Sequence, residues 1–164
     1  PPVLLALDAE VVLVGANGTR VVALKDFYRG MYETALEPGE ILVEVRVPCV
    51  PAAARAVYSR FNSLSANDWP CIGVAAFLSL EGENVSEVRI GLSGVAESPL
   101  RATGLDRFHR EHCSDELWDA VCDAVDEQIS PVSDLRGSAG YKREMTRVFV
   151  RRTLQQVARP ASPS

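Results

Sequence analysis

Residues 71–92 read CIGVAAFLSLEGENVSEVRIGL, and this stretch decides how the second half of the chain folds. Its first part, from Cys71 to Leu80, is almost wholly apolar, which is typical of a strand covered on both faces. The segment Glu81–Glu83 follows as a tight turn around a glycine, and strand-forming residues return from Asn84 to Leu92. The sequence therefore predicts two antiparallel strands joined by a hairpin.

The order of elements around this hairpin indicates an α+β fold. A third strand is predicted from Arg55 to Phe61, directly before the hairpin. Three helices are predicted after it: a short one from Ser98 to about His109, a second that starts at the N-cap Ser114 and ends before Pro131, and a last one that begins near Ser138. Strands followed by helices give a small antiparallel sheet with helices on one face.

The last helix is predicted to have an apolar side and a basic side. The apolar side holds Tyr141, Met145, Val148, Phe149 and Leu154, and the basic side holds Lys142, Arg143, Arg147, Arg151 and Arg152. The preceding helix is rich in carboxylates between Asp115 and Glu127, so the basic side is interpreted as ion-paired within the chain or solvated. A protein interface and a nucleic-acid contact are the alternatives.

Residues 1–48 are predicted to form a separate unit. Pro48 and Pro51 bracket a break in the hydrophobic pattern, which marks the boundary. The predicted elements before it are a short helix to about Asp8, a hairpin of Val11–Val14 and Thr19–Val22 turning at Asn17-Gly18, one helical turn within Lys25–Gly30, and an alternating strand from Glu40 to Val47.

Composition excludes several classes of protein. The net charge of -5 over 164 residues argues against nucleic-acid binding, which needs a basic field. No apolar run reaches the roughly 20 residues that span a bilayer, so membrane insertion is not expected. The four cysteines are spaced without a pairing pattern and are predicted to be isolated buried thiols in a reducing, cytoplasmic environment. The chain opens on Pro1-Pro2, which predicts a piece of a longer protein.

The residues alone show no self-contained active site. His109, His112 and Cys113 lie close in sequence, but a tetrahedral metal site needs a further ligand from elsewhere. Gly91–Gly94 has a glycine misplaced by one position for a nucleophile elbow. Complete glycine-rich phosphate loops do not occur in the sequence.

Several segments, in order, resemble the flavoproteins of the molybdenum hydroxylases, the family of xanthine dehydrogenase and carbon monoxide dehydrogenase. The matching segments are Pro1–Val11, Phe27–Gly30, Thr34–Leu42, Tyr58–Phe61 with Asp68 and Val74–Ala76, Pro99–Ala102, and Asp134–Arg143. Each motif is only moderately specific, but their order along nearly the whole chain makes the resemblance strong.

The resemblance implies an electron-transfer function. Members of this family pass electrons from a molybdenum centre through two [2Fe–2S] clusters to FAD and on to an external acceptor. It implies that residues 1–48 are the end of an FAD-binding domain and that residues 49–160 form a C-terminal domain with a three-stranded antiparallel sheet and a three-helix bundle, followed by a disordered tail, 161–164. The implied partners are the molybdenum-binding and [2Fe–2S] subunits or domains.

Three residues match cofactor-facing positions of the family. Leu42 fits the position that packs on the flavin ring, Arg60 stands where the family has a lysine beside it, and Asp68 matches the family carboxylate. Read from the sequence alone, Leu42 is equally a core residue, Arg60 a solvated charge and Asp68 a turn former. The family's next arginine is replaced by Leu64.

The glycine-rich motifs that hold the FAD diphosphate in this family are not found in residues 1–164. Such motifs supply the backbone N–H groups that bind phosphates, so we expect this chain alone to be inactive. A non-enzymatic interaction module with the same fold and no flavin is the alternative function.

Overall fold

The computed structural model describes residues 1–65 and 68–159, whose strands form a three-stranded, a two-stranded and a four-stranded sheet. The first part of the chain is built from short elements: α1 (Pro2–Ala6), β1 (Glu10–Gly15), β2 (Gly18–Ala23), α2 (Leu24–Phe27), β3 (Tyr28–Gly30), β4 (Glu33–Thr34) and β5 (Ile41–Arg46). β1 and β2 form the predicted hairpin, and β5 pairs antiparallel with β1, so the sheet order is β2-β1-β5. The helical turn predicted within Lys25–Gly30 is present only as α2. Residues Tyr28–Gly30 form β3 instead.

The second part of the chain contains the three predicted antiparallel strands and the main hydrophobic core. Its elements are β6 (Arg55–Phe61), β7 (Ile72–Glu81), β8 (Asn84–Ser93), β9 (Leu100–Arg101), a 3-10 turn (Leu105–Phe108), α3 (Asp115–Asp126) and α4 (Ala139–Ala158). The strands lie in the order β6-β7-β8-β9, all antiparallel. α3 and α4 pack on one face of this sheet, and apolar side chains from both layers form one buried cluster. The α+β class is confirmed.

The helix expected from Ser98 to His109 is wrong. Leu100 and Arg101 instead pair with β8 as a fourth strand, and only Leu105–Phe108 turns as a 3-10 helix. Gly104 adopts a left-handed conformation with a φ of 67°, which a helix interior does not allow. The three helical elements of this part are therefore one 3-10 turn and two α-helices.

The two sides of α4 differ partly from the expectation. Tyr141 and Val148 are partly exposed, whereas Lys142, predicted on the basic side, is buried. The other basic residues behave as interpreted. Arg143 pairs with Asp126 at 2.7 Å, Arg147 pairs with Asp123 at 2.5 Å, and Arg151 pairs with Asp119. Three arginines of α4 thus neutralise carboxylates of α3.

The opposite face of the main sheet is covered by α1, which belongs to the first part of the chain. Ala6 of α1 packs on Ala75 and Phe77 of β7. Asp8, just after α1, forms ion pairs with Arg89 at 3.2 Å and with Arg101 at 3.0 Å. The central strand β7 is therefore buried on both faces, as its apolar sequence predicts.

This packing depends on Gly91. A Cβ at this position would overlap the carbonyl of Pro2 and lie 3.1 Å from the backbone nitrogen of Ala6. We expect Gly91→Ala to lower the free energy of unfolding by about 1–3 kcal/mol, because backbone atoms of α1 must move. Gly140→Ala is the matched control, since nothing lies within 4 Å of a Cβ there, and it should raise stability by about 0.4–1 kcal/mol. Urea unfolding measures the free energy of unfolding of both variants. Equal effects of the two substitutions would contradict the close approach of α1 to Gly91.

The cysteines are free thiols, but they are not all buried. Cys49 is exposed because it lies in the irregular segment after β5, which corrects the expectation for this residue. Burial raises the pKa of the Cys71 and Cys113 thiols and raises that of Cys122 to about 11.

Thiol labelling at pH 8 tests this difference. We expect Cys49 to react rapidly in the folded chain and Cys122 to stay unmodified, because a buried thiol forms little thiolate and is inaccessible. Mass spectrometry after timed alkylation identifies the labelled sites. Comparable rates at Cys49 and Cys122 would contradict the packing of α3.

Among the helices of residues 1–65 and 68–159, none has the length and apolar character that a membrane span requires.

Candidate functional site

Leu42 lies on β5, a strand that pairs on one side only and has no residue in the core. Its side chain is 38% exposed, and the neighbouring Ile41 and Val43 are more exposed still. The core interpretation of Leu42 is therefore wrong for the described part of the chain. An apolar strand with open faces offers a surface on which a flat hydrophobic ring or a further layer of protein can pack.

The start of β5 is fixed by Glu40. The carboxylate of Glu40 accepts two hydrogen bonds from the guanidinium of Arg20, both 2.7 Å long, and one from the backbone N–H of Glu37 at 2.7 Å. The hydrogen bonds from Arg20, and then that from Glu37, lower the pKa of Glu40 to about 2. This pair ties the segment before Leu42 to the β1–β2 hairpin.

Glu40 should contribute to the pH dependence of stability. Its folded-state pKa lies below its usual value, so its contribution is complete at neutral pH and is lost as pH falls towards about 2. We expect Glu40→Gln to be less stable than the parent at pH 7 and to lose less stability between about pH 5 and about pH 2. Urea unfolding across this range measures it. Glu127→Gln, at an exposed carboxylate, is the control; identical acid profiles for E40Q and the parent would contradict the assignment.

Arg60 lies on the face of the main sheet that also carries α1. It stands opposite Gly73, which stands opposite Ser93 on the next strand. A Cβ on Gly73 would lie 2.7 Å from the Ser93 Oγ and 2.8 Å from the Tyr58 hydroxyl. Two hydroxyl groups thus converge over a glycine beside an exposed guanidinium. This arrangement can donate hydrogen bonds to the polar edge of a ligand.

Asp68 belongs to the connection between β6 and β7, at the same end of the sheet as Arg60. Its Oδ1 accepts a hydrogen bond from the backbone N–H of Trp69 at 2.7 Å and lies 3.7 Å from Nη2 of Arg136. Asp68 therefore hydrogen-bonds within its own loop, and its turn-forming role stays a prediction. The carboxylate also joins this loop to the segment that precedes α4.

Trp69 is a candidate functional residue that the sequence analysis did not single out. Its side chain is 79% exposed, whereas the other tryptophan, Trp118, is buried. Its backbone is nevertheless held on both sides, because its N–H donates to Asp68 and its carbonyl accepts a 3.2 Å hydrogen bond from Nε of Arg136. An exposed indole on a fixed backbone is typical of a binding surface. The signal in the sequence was an aromatic residue directly after the matched carboxylate.

The structure brings together only part of the predicted site. Arg60, Asp68 and Trp69 lie at one end of the main sheet, whereas Leu42 lies on the other sheet. Leu64, which stands where the family has an arginine, is 60% exposed and adds an apolar side chain to the β6–β7 connection.

A cavity lies away from these residues, between the first and second parts of the chain. It has a volume of about 920 Å³ and is lined by residues from α1 to α2 and from β8 to His109, none of which is a predicted cofactor residue. Its arginines are already occupied. Arg89 pairs with Asp8 and Glu87, and Arg101 pairs with Asp8. Among the described residues no cluster of three His, Cys, Asp or Glu side chains fits a metal ion.

Two family models match adjoining segments of this chain. The CO dehydrogenase flavoprotein C-terminal domain matches residues 56–157, and the FAD binding domain in molybdopterin dehydrogenase matches residues 1–50. The chain belongs to the CO dehydrogenase flavoprotein family. The resemblance seen in the motifs is thus confirmed, and so is FAD as the cofactor with which the family is associated.

Individual relatives agree with this assignment. The carbon monoxide dehydrogenase medium chain of Hydrogenophaga pseudoflava is 36% identical over 94% of this chain and 54% of its own length. The glyceraldehyde dehydrogenase medium chain of Sulfolobus acidocaldarius is 31% identical over 96% of this chain and 56% of its own length. The chain therefore spans about half the length of these relatives.

Solved structures show the same fold. The structure of carbon monoxide dehydrogenase from Hydrogenophaga pseudoflava, lacking the Mo-pyranopterin moiety of its cofactor, matches with a TM-score of 0.89 and 35% identity over 93% of this chain and 53% of that chain. Quinoline 2-oxidoreductase from Pseudomonas putida 86 matches with a TM-score of 0.82 and 27% identity over 95% of this chain and 54% of that chain. The flavoprotein fold is thus shared by dehydrogenases with different substrates in their names.

Proposed function

We propose that this chain is part of the FAD-containing electron-transfer subunit of a molybdenum hydroxylase. In this function the subunit receives electrons from [2Fe–2S] clusters and passes them through FAD to an external acceptor. The observation that carries the proposal is the match of a flavoprotein C-terminal domain and an FAD binding domain to adjoining segments of one chain. The molybdenum-binding and [2Fe–2S] subunits or domains are the proposed partners.

The exposed residues fit the ring system of FAD. An isoalloxazine ring has two apolar faces and a polar edge. The indole of Trp69 and the side chain of Leu42 are exposed apolar groups of the kind that cover such faces. The hydroxyls of Tyr58 and Ser93 over Gly73, next to Arg60, suit the polar edge. FAD, when bound, exchanges electrons singly or in pairs and so connects one-electron clusters with a two-electron acceptor.

The diphosphate end of FAD needs groups that residues 1–164 do not supply as a glycine-rich motif. We propose that the additional half of sequence found in the longer relatives provides them. The division into residues 1–48 of an FAD-binding domain and 49–160 of a C-terminal domain is proposed with it, supported by the matched ranges. The predicted tail, 161–164, lies outside the described residues, and the cytoplasmic location stays a prediction.

Arg60 has a specific electrostatic role in this proposal. A guanidinium stays protonated at any physiological pH and donates through a rigid planar fork. Beside a flavin, the positive charge of Arg60 would stabilise negative charge on the ring. Its role is attraction and hydrogen bonding.

A variant series in the complete protein, with its upstream segment, tests the proposal. Trp69→Ala should weaken FAD binding about ten- to a hundredfold, because a large apolar contact worth about 1.5–3 kcal/mol is removed. Flavin fluorescence titration measures the dissociation constant. Tyr32→Asn is the control. The side chain of Tyr32 is fully exposed, and its backbone lies in the left-handed region with a φ of 59°, a conformation that asparagine tolerates.

The outcomes separate the two functions considered. Retention of FAD by the purified complete protein, weakened by W69A and not by Y32N, supports the flavoprotein function. A complete protein that folds but binds no FAD overturns it and favours the interaction module.

A further inference from the structure

We propose that Arg136 is a positioning residue for the flavin-facing loop. Together with Asp134 and the buried Lys142, it fixes the backbone of Asp68 and Trp69 in the orientation that presents the indole. This inference rests on the proposed function for its consequence, but the network itself is a property of the chain without FAD.

The network is anchored in the core. Lys142 is only 4% exposed, and its Nζ donates to the carbonyl of Val132 at 2.8 Å and to Oδ2 of Asp134 at 2.9 Å. A buried ammonium group must be paired to be stable. Burial alone would raise the pKa of the Asp134 carboxyl, but the hydrogen bonds from Lys142 and from the backbone N–H of Arg136 outweigh it and lower the pKa. Asp134 is thus a fixed charge attached to α4.

Asp134 in turn fixes the backbone of Arg136. Its Oδ1 accepts the Arg136 N–H at 2.8 Å, and Asp134 and Gly137 exchange two backbone hydrogen bonds of 3.1 Å. Arg136 therefore sits in a closed turn. The backbone entropy of Arg136 is therefore already lost, and only that of its side chain opposes its contacts.

The guanidinium of Arg136 joins this turn to the other loop. Its Nε donates to the carbonyl of Trp69 at 3.2 Å, its Nη2 lies 3.7 Å from Oδ1 of Asp68, and its Nη1 lies 3.7 Å from Oδ2 of Asp134. The carbonyl of Arg136 also accepts a contact from Cys71 Sγ at 3.7 Å. A planar fork reaches several partners at once, whereas a lysine ammonium acts as a single point charge.

The start of α4 does not need this guanidinium. Ser138 Oγ accepts the N–H of Tyr141 at 3.2 Å, and Ser133 Oγ accepts the N–H of Ala139 at 2.9 Å. The first turn of the helix is therefore capped by two serines. Besides its contact with Asp134, the guanidinium of Arg136 reaches Asp68 and Trp69, which indicates that its side chain serves the loop.

The first measurement uses this chain without FAD. Amide hydrogen exchange by NMR should become about tenfold faster at Trp69 and Cys71 in Arg136→Gln, because the loop opens locally more often. Arg136→Lys should give an intermediate rate. Arg152→Gln, which removes an exposed arginine near the other end of α4, should leave these amides unchanged. Amides of β7 and β8 report whether each variant is folded.

The second measurement uses the complete protein with FAD. R136Q should raise the FAD dissociation constant about fivefold or more, R136K less, and R152Q not at all, with thermal unfolding temperatures that differ little among the three. Unchanged exchange at Trp69 in a folded R136Q chain overturns the proposal whether or not FAD binds. Faster exchange with an unchanged dissociation constant overturns the positioning role. Failure of the parent protein to bind FAD overturns the proposed function and, with it, the role toward the cofactor.

Discussion

The burial of β7 on both faces is the constraint on which the rest of the structure depends. One face of β7 is packed by α4 and belongs to the buried cluster that includes α3, and the other face is packed by α1 from the beginning of the chain. A strand without a solvent-facing side must be almost wholly apolar, as residues 72–78 are. The close approach of α1 also explains why a glycine stands at position 91. Once these layers are in place, both ends of the sheet are fixed relative to the first part of the chain.

Charged groups then attach the irregular segments to this framework. Asp8 holds the segment after α1 to two arginines of the main sheet, Glu40 holds the start of β5 to the hairpin, and Arg136 holds the β6–β7 connection to the turn before α4. Exposed ion pairs of this type contribute little to stability one by one. Their effect here is on geometry, since each determines where a loop or a strand end lies.

Much of the fold could be predicted from the sequence because local patterns and tertiary packing agree. The β7–β8 hairpin, the caps Ser114 and Ser138, and the Asn17-Gly18 turn are all in the structure. The helix expected after Ser98 failed because pairing with β8 and the left-handed Gly104 are not visible in a helical pattern. Lys142 was assigned to the exposed side because its partner, Asp134, belongs to an irregular turn that periodicity does not place.

The candidate site was less predictable than the fold. Motif matching found Asp68 but missed Trp69 next to it, since an aromatic residue beside a proline gives no indication of its exposure. Only the structure shows that the indole is exposed while its backbone is held. The sequence did place Leu42 and Arg60 in different units, but it could not show how the two sheets lie relative to each other, because that depends on how the two parts of the chain pack.

The contact of α1 with Gly91 has a consequence for how this family can be divided. The two family matches meet between residues 50 and 56, yet α1, from the first match, completes the core of the second. A boundary drawn by sequence similarity is therefore not a mechanical boundary. Because α1 contacts β7 and β8 directly, the position of the first segment and that of the sheet that carries Arg60 depend on each other.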